Sequence, residues 1–154
     1  MTLETKRLVL RISSQEEMVD MIKREADPAL KCAYQEMLKG CLAHPNHWVW
    51  HAIWRIEAKD GGLLGDLSFK GPAVDGAVEI GYGMLEVHRG KGYATEAVKA
   101  AVEWALAQPG VTRVEAETDP ANRASQNVLI KCGFRPTGVI GDEGPRFVRQ
   151  DVDA

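Results

Sequence analysis

The sequence predicts one domain of the α/β or α+β class, with a mixed central sheet and flanking helices. In the first half, the turn signal "KDGG" at residues 59–62 separates two apolar, strand-like segments and predicts a β-hairpin. In the second half, strand-like and helix-like segments alternate, which is typical of crossover connections in a sheet. The 154 residues match the length of a single domain, and we expect it to span residues 1–154.

The predicted elements follow the order β-α-α-β-β-β-α-β-α-β. Residues 6–13 alternate charged and apolar side chains and are typical of a strand. The spacing of Ser13 and Glu16 predicts a capping box that starts the first helix. A second helix is predicted from Pro28, and it ends near His44, just before a proline.

Three strands are then predicted in succession, at residues 47–59, 63–71 and 76–87. In the first of these, Trp48, Trp50 and Trp54 alternate with other residues and would share one face. We interpret this stripe as core rather than as a ligand platform. The remaining elements are a helix, a strand, a second helix and a strand, which start near residues 93, 111, 122 and 134. Beyond Gly141 the sequence is polar, and no element is predicted there.

The composition excludes several classes of function. The net charge of −3 disfavours a general nucleic-acid binder, which would carry a basic excess. No apolar run is long enough to span a membrane, and the first residues lack a signal-peptide core. Because Cys32, Cys41 and Cys132 are widely spaced, we expect reduced, buried thiols and a cytoplasmic location.

Histidines 44, 47 and 51 are close in sequence but do not predict a metal site. Their spacing is irregular, and neither a cysteine nor a carboxylate completes a set of ligands. We therefore expect no metal.

The stretch Glu86–Ala97, "EVHRGKGYATEA", combines glycines and positive charge at the predicted start of a helix. Free backbone N–H groups at a helix start bind anions, and glycine allows a phosphate to approach closely. The stretch does not match a Walker A loop, and Thr95 stands where a dinucleotide fingerprint needs its third glycine. The residues alone thus leave two interpretations, a phosphate site or a simple turn.

The pattern from Arg89 to Ala94, "RGKGYA", resembles the pyrophosphate loop of the GNAT acetyltransferase superfamily. The likeness extends to its RimJ/RimL-type branch through "ETKRLVLR" near the N-terminus and "EIGYGMLEV" before the loop. It also includes an N-x-x-S…K-x-G-F segment, formed by Asn122, Ser125, Lys131, Gly133 and Phe134.

This resemblance implies acetyl-CoA as co-substrate and a bulged fourth strand that splays from the fifth. A free N–H near Met84 would polarise the thioester carbonyl. Arg89 would order the loop, Asn122 would contact the pantetheine arm, and Ser125 or Lys131 would reach the coenzyme's other end. The residues that the resemblance assigns to the coenzyme are Tyr82, Met84, Leu85, Arg89, Gly90, Lys91, Gly92, Tyr93, Ala94, Thr95, Asn122, Ser125 and Lys131.

The reaction implied is direct acetyl transfer to a primary amine in a ternary complex. The amine must lose a proton, so a general base or a water chain leading to one is useful. Glu115 and Glu117 lie two residues apart on a predicted strand and would share a face. By resemblance Glu117 is the preferred base and Glu115 the second choice, while Glu79 and Asp66 are weaker candidates.

One departure from the family pattern concerns the acid that protonates the leaving thiolate. Leu129 occupies the place where many members carry a tyrosine. Ser125 is the alternative hydroxyl, and its other role would be helix capping or a coenzyme contact. The departure also keeps open a non-catalytic acyl-CoA-binding module.

The resemblance leaves the acceptor open. The amine would belong to a protein N-terminus or to a small molecule, and Tyr34 and Trp48 are expected to border its pocket. A homodimer is also expected, because dimers are common in this superfamily.

Overall fold

The computed structural model describes residues 1–150. Its eight-stranded sheet has the order β1-β2-β3-β4-β5-β6-β8-β7. The strands are β1 (Thr2–Glu4), β2 (Leu8–Ile12), β3 (Trp54–Ala58), β4 (Leu63–Phe69), β5 (Ala77–Met84), β6 (Arg113–Glu117), β7 (Arg135–Ile140) and β8 (Pro145–Gln150). The helices are α1 (Gln15–Arg24), α2 (Pro28–Ala43), α3 (Trp48–His51), α4 (Tyr93–Leu106) and α5 (Arg123–Lys131). The mixed α/β class predicted from sequence is confirmed.

The central feature of the sheet is the short parallel contact between β5 and β6. Ala77–Glu79 pair with Arg113–Glu115, and beyond these residues the two strands separate. The other pairings are antiparallel. The strands predicted as fourth and fifth are β5 and β6, and the expected splay between them is present. The expected bulge is not seen where β5 pairs with β4, because that register is unbroken.

One face of the sheet is covered by α4, which presents a stripe of small apolar residues. The buried members of this stripe are Ala97, Val98, Ala101, Val102 and Ala105. Ala94, at the start of the helix, is only half-buried. Small side chains let the helix approach the strands closely. At its far end, Trp104 packs against Trp50, Trp54 and Phe69 with ring centroids 5.0–6.0 Å apart.

The opposite face is partly covered by α1 and α2. Met18 of α1, Tyr34 and Cys41 of α2, and Ile53 before β3 form a second, smaller cluster of buried residues. Because successive side chains of a strand alternate between faces, Asp66 of β4 points toward this side while Leu67 points toward α4.

Two predicted boundaries are wrong. The capping box of α1 is formed by Ser14 and Glu17, one residue later than expected. Trp48 and Trp50 lie in the short helix α3 rather than in a strand, and the Trp48 indole donates to the Ser13 carbonyl at 3.0 Å. Pro45 starts a helical turn immediately before α3, which favours continuation of the helix over an extended chain.

Strand β8 was not predicted from the sequence. It inserts between β6 and β7 and pairs with β6 along its whole length. Its neighbouring residues Phe147 and Val148 are both buried, so the strand is covered on both faces. The sequence therefore lacks the alternation that signals a half-buried strand.

Two further expectations concern the cysteines and membrane insertion. Cys41 and Cys132 are buried as expected, whereas Cys32 is exposed. Within residues 1–150, no helix has the length and apolar character needed to cross a membrane.

Candidate active site: a coenzyme cleft and an acidic face

The gap between β5 and β6 exposes backbone groups of β5. In the ladder with β4, the Glu79 carbonyl accepts from Lys70 N at 3.0 Å, and Leu85 N donates to the Leu64 carbonyl at 2.9 Å. Backbone groups alternate along a strand, so the N–H and C=O groups of Tyr82 and Met84 face away from β4 and into the gap. This strand edge offers hydrogen bonds to an extended ligand.

The glycine loop lies at one end of this gap, at the start of α4. Gly90 and Gly92 have φ angles of 78° and 80°, in the left-handed region that favours glycine. Within residues 1–150 no side chain caps the first turn of α4, and Glu96 N is the first amide to bond back, to the Gly92 carbonyl at 3.1 Å. The preceding N–H groups and the helix dipole are suited to bind an anion.

Side-chain hydrogen bonds around the gap fix the glycine loop and the start of α5. Arg89 Nε donates to the Met84 carbonyl at 3.2 Å, which links the loop to the end of β5. Asn122 Oδ1 caps α5 by accepting from Ser125 N at 3.0 Å. Residues at the start of α5 and at the start of α4 line the same cleft.

The cleft between these elements has a volume of about 540 Å³, within the range of ordinary small-ligand pockets. Of the residues assigned to the coenzyme from sequence, those lining it are Tyr82, Met84, Arg89, Gly90, Gly92, Tyr93, Ala94, Thr95, Asn122, Ser125 and Lys131. Leu85 and Lys91 are exposed and do not line it. His88, Ala124, Asn127 and Val128 line it but were not predicted. Their positions within the two recognised segments were the signal that could have found them.

Two hydroxyl groups meet inside the cleft. Tyr82 Oη lies 2.9 Å from Ser125 Oγ and 3.0 Å from the Ser125 carbonyl. Burial raises the pKa of Tyr82 to about 12, so its hydroxyl is protonated at neutral pH. Leu129, where the family often has tyrosine, is fully buried in the core instead. The cleft thus carries a hydroxyl pair, contributed by β5 and α5.

On the opposite face of the sheet, Glu115 and Glu117 share one side of β6, as their spacing predicts. Glu117 is the more enclosed, with a side chain only 7% exposed. Arg146 Nη1 donates to one of its oxygens at 2.9 Å, and Glu143 N donates to the other at 3.0 Å. Glu117 does not line the cleft.

Glu115 is less constrained than Glu117. Its contacts with Arg146 and Arg113 are both 3.4 Å long. Glu79 on β5 completes the group, and it accepts from Arg146 at 2.9 Å and from Lys70 at 2.6 Å. Burial opposes ionisation of Glu79, but these two cations outweigh it and hold its pKa below the usual value.

Asp66 of β4 lies on the same face, near α2. Tyr34 Oη donates to its carboxylate at 2.6 Å. Burial, reinforced by the negative charge of Glu25, raises the pKa of Asp66, although the Tyr34 hydrogen bond and Arg55 oppose the rise. Tyr34 itself is buried, with 5% of its surface exposed. Trp48, the other residue expected near the acceptor, packs with Tyr34 in the smaller cluster.

Among residues 1–150, the other reactive side chains do not assemble a further candidate centre. His44 and His51 stack with centroids 5.3 Å apart, and the described part of the chain contains no group of three candidate metal ligands. Burial raises the pKa of both the Cys41 and the Cys132 thiols to about 11. Neither thiol is a thiolate at neutral pH, so neither is suited to act as a nucleophile.

The sequence model of the family described as "Acetyltransferase (GNAT) domain" matches residues 2–135 of this chain. The chain belongs to this family. The gap beside β5 and the loop before α4 are therefore features of a GNAT domain.

Similar proteins fall into two groups. An uncharacterised N-acetyltransferase of Bacillus subtilis, YjdG, is 39% identical over 83 residues, covering 53% of this chain and 49% of that protein. The chain spans about half the length of the curated relatives it matches.

Solved structures cover more of the chain at lower identity. A ribosomal-protein-S5-alanine acetyltransferase from Vibrio fischeri superposes with a TM-score of 0.77 at 16% identity, covering 99% of this chain and 98% of that one. The ribosomal L7/L12 α-N-protein acetyltransferase RimL, in complex with coenzyme A, gives 0.76 at 17% identity, covering 97% and 98%. At such identities the likeness establishes the GNAT fold.

Proposed function

We propose that this GNAT domain is an acetyl-CoA-dependent N-acetyltransferase that moves an acetyl group to a primary amine in a ternary complex. The observation that carries the proposal is the cleft where β5 leaves β6, with the glycine loop at its end. A strand edge with free backbone groups suits an extended amide-containing arm, and a helix start suits a pyrophosphate.

The residues of the cleft fit coenzyme A. Acetyl-CoA supplies the activated acetyl thioester. Tyr82 and Met84 would bind the pantetheine arm through backbone groups, and Gly90 to Thr95 would bind the pyrophosphate through successive N–H groups. Lys131 of α5 lines the same cleft and adds a positive charge for the coenzyme's phosphates.

The acceptor amine would approach from the acidic face of the sheet, which carries Asp66, Glu79, Glu115 and Glu117. An amine is mostly protonated at neutral pH, so its nucleophilic form must be generated at the site. Glu117 is our proposed base, and it would act through water because its carboxylate is covered by Arg146 and the backbone at Glu143. Glu115, the more exposed carboxylate, is the second candidate. Asp66, paired with Tyr34, would attract the positive charge of the amine.

Ser125 is the group proposed to return a proton to the leaving thiolate. The single hydroxyl proton of Tyr82 can go to the Ser125 carbonyl or to Ser125 Oγ, and in the second arrangement the proton of Ser125 is free to point into the cleft. This pair would do the work of the tyrosine that Leu129 replaces. A free thiol has a pKa near 8.5, so the leaving thiolate does not require a strong acid.

The acceptor class is a primary amine on a protein N-terminus or a small molecule. A homodimer is the expected assembly. The second candidate function is a non-catalytic acyl-CoA-binding module, and it is favoured by one observation, the burial of Leu129 in place of an acid.

Thiol release from acetyl-CoA, followed with a panel of N-terminal peptides, polyamines and amino acids, tests the proposal. We expect at least one amine to stimulate release and to become acetylated. Tight coenzyme A binding without stimulation by any amine would favour the binding module. Absence of coenzyme A binding would overturn both.

A further inference from the structure

The turn between β1 and β2 reaches across to the glycine loop, although the two lie more than eighty residues apart in sequence. Arg7, in this turn, donates from Nη1 to the Lys91 carbonyl at 2.8 Å. Its Nε forms an ion pair with Glu96 at 2.7 Å, and its backbone N–H donates to the same carboxylate at 2.9 Å. Thr5 also donates its hydroxyl to Glu96.

The guanidinium of Arg7 also covers the start of α4. Its central carbon lies 4.5 Å from the ring centroid of Tyr93, the first residue of the helix. A Cβ added at Gly92 would lie 3.3 Å from Arg7 Nη2. Arg7 therefore touches the loop from Lys91 to Glu96 without lining the cleft itself.

We infer that Arg7 and Glu96 form a brace that holds the glycine loop in its coenzyme-binding shape. This inference rests on the proposed function, because it concerns the same coenzyme site. The brace fixes the Lys91 carbonyl on the side away from the ligand, and this orientation turns the N–H groups that follow toward the cleft. Arg7 is thus a positioning residue, which acts through the backbone of residues 91–96.

Charge gives the brace a second role. Glu96 lies in the first turn of α4, close to where an anion would bind. Although burial opposes its ionisation, the contacts with Thr5 and Arg7 keep its pKa below the usual value, so the carboxylate is charged. Arg7 neutralises this charge, which would otherwise repel the pyrophosphate.

The two roles give the variants a distinctive order. Arg7→Ala loses the loop contact and also leaves Glu96 uncompensated, so we expect coenzyme A to bind about 10–100-fold more weakly. Adding Glu96→Gln to Arg7→Ala should recover part of this loss, because the repelling charge is removed. Arg7→Lys keeps the charge but not the two-sided geometry, and an intermediate affinity is expected.

The experiment measures coenzyme A affinity by calorimetry and steady-state kinetics with two donors, acetyl-CoA and S-acetylpantetheine. The second donor lacks the pyrophosphate. Arg7→Ala should raise the KM for acetyl-CoA, with kcat and the acceptor KM unchanged, and should leave the kinetics with S-acetylpantetheine as in the wild type. Arg24→Ala is the matched control, since it removes an exposed arginine paired with Asp20 on α1, away from the loop.

Wild-type affinity in Arg7→Ala would overturn the brace, as would equal losses with both donors. No recovery in the double variant would overturn the charge role. If Arg7→Ala does not fold, Arg7→Lys and Glu96→Gln are judged by the same donor comparison. Failure of the wild-type protein to bind coenzyme A would instead overturn the proposed function.

Discussion

The two sides of the proposed site differ in the chemical groups that form them. The coenzyme cleft is lined by two continuous segments, the β5–loop–α4 unit and one side of α5, and its proposed ligand contacts come largely from main-chain groups. The acidic face collects charged side chains from four strands and is flanked by α2, with Arg146 at its centre. Backbone N–H donors are present whatever side chain a residue carries. The charge and shape of an ion-paired face, by contrast, depend on the identity of each charged residue.

This difference predicts opposite sensitivities to mutation. A change of backbone conformation should disable the cleft and spare the acidic face. Removal of a single charge from the acidic face should alter that face and spare coenzyme binding.

The largest effect is expected from Gly92→Val. A β-branched residue does not tolerate a φ of 80°, and its side chain would crowd Arg7, so coenzyme A binding should fall below detection by calorimetry. Gly138→Val is the matched control, because Gly138 has a φ of 85° in β7 and is remote from the cleft. It should lower stability by a similar amount and leave the affinity unchanged. Retained affinity in Gly92→Val would remove the loop as the pyrophosphate site.

A smaller effect is expected from Glu117→Gln on the acidic face. The amide oxygen can accept from only one of the two present donors, Arg146 or Glu143 N, so some loss of stability is expected along with the loss of the proton acceptor. Turnover should fall about 100-fold, mainly at lower pH where more of the amine is protonated, and coenzyme affinity should not change. The pH–rate profile with saturating acetyl-CoA measures this.

Glu115→Gln provides the comparison on the same strand, with an expected loss below about tenfold. The opposite ranking would assign the base to Glu115, whose carboxylate is the more accessible. An unchanged profile in both variants would exclude this pair of carboxylates from proton transfer.

The smallest effect is expected from Asp66→Asn, and it depends on pH. The pKa of Asp66 is higher in the folded than in the unfolded chain, so its ionisation destabilises the fold as pH rises above the unfolded value of about 3.9. Asn removes this penalty and can still accept from Tyr34. The variant should have a higher Tm than the wild type at pH 7 and nearly the same Tm near pH 4.

The exposed carboxylate Asp20, replaced by Asn, is the control for Asp66 and should show a much smaller dependence on pH. A gain for Asp66→Asn that is independent of pH would contradict the burial penalty. If Asp66 also attracts a cationic amine, its replacement should raise the acceptor KM several-fold without changing the KM for acetyl-CoA.

The contrast also explains what the sequence could predict. The cleft depends on residues close together in the chain, such as Gly90 and Gly92, and the resemblance of these segments to the GNAT superfamily predicted most of its lining. The acidic face depends on pairings across the sheet, and Arg146 comes from β8, which lacks the alternation of a half-buried strand. The partner of Asp66 was equally hidden, because Tyr34 lies on a helix 32 residues away.

Local propensity was similarly insufficient at residues 48–50. The alternation of tryptophans predicted a strand, but the helical turn beginning at Pro45 continues into α3. The Trp48 hydrogen bond to Ser13 fixes this helix against the start of α1. Tertiary contacts of this kind cannot be read from a two-residue period.

The aromatic group at the far end of α4 gives the protein an optical reporter of its own. Trp104 lies 5.0 Å from both Trp50 and Trp54, so excitation is shared among these three indoles and their near-ultraviolet dichroism is coupled. Trp104 is also joined to the glycine loop by about 16 Å of continuous helix. A shift of α4 against the sheet would therefore change the emission and dichroism of the unlabelled protein, and events at the loop become observable in an ordinary spectrometer.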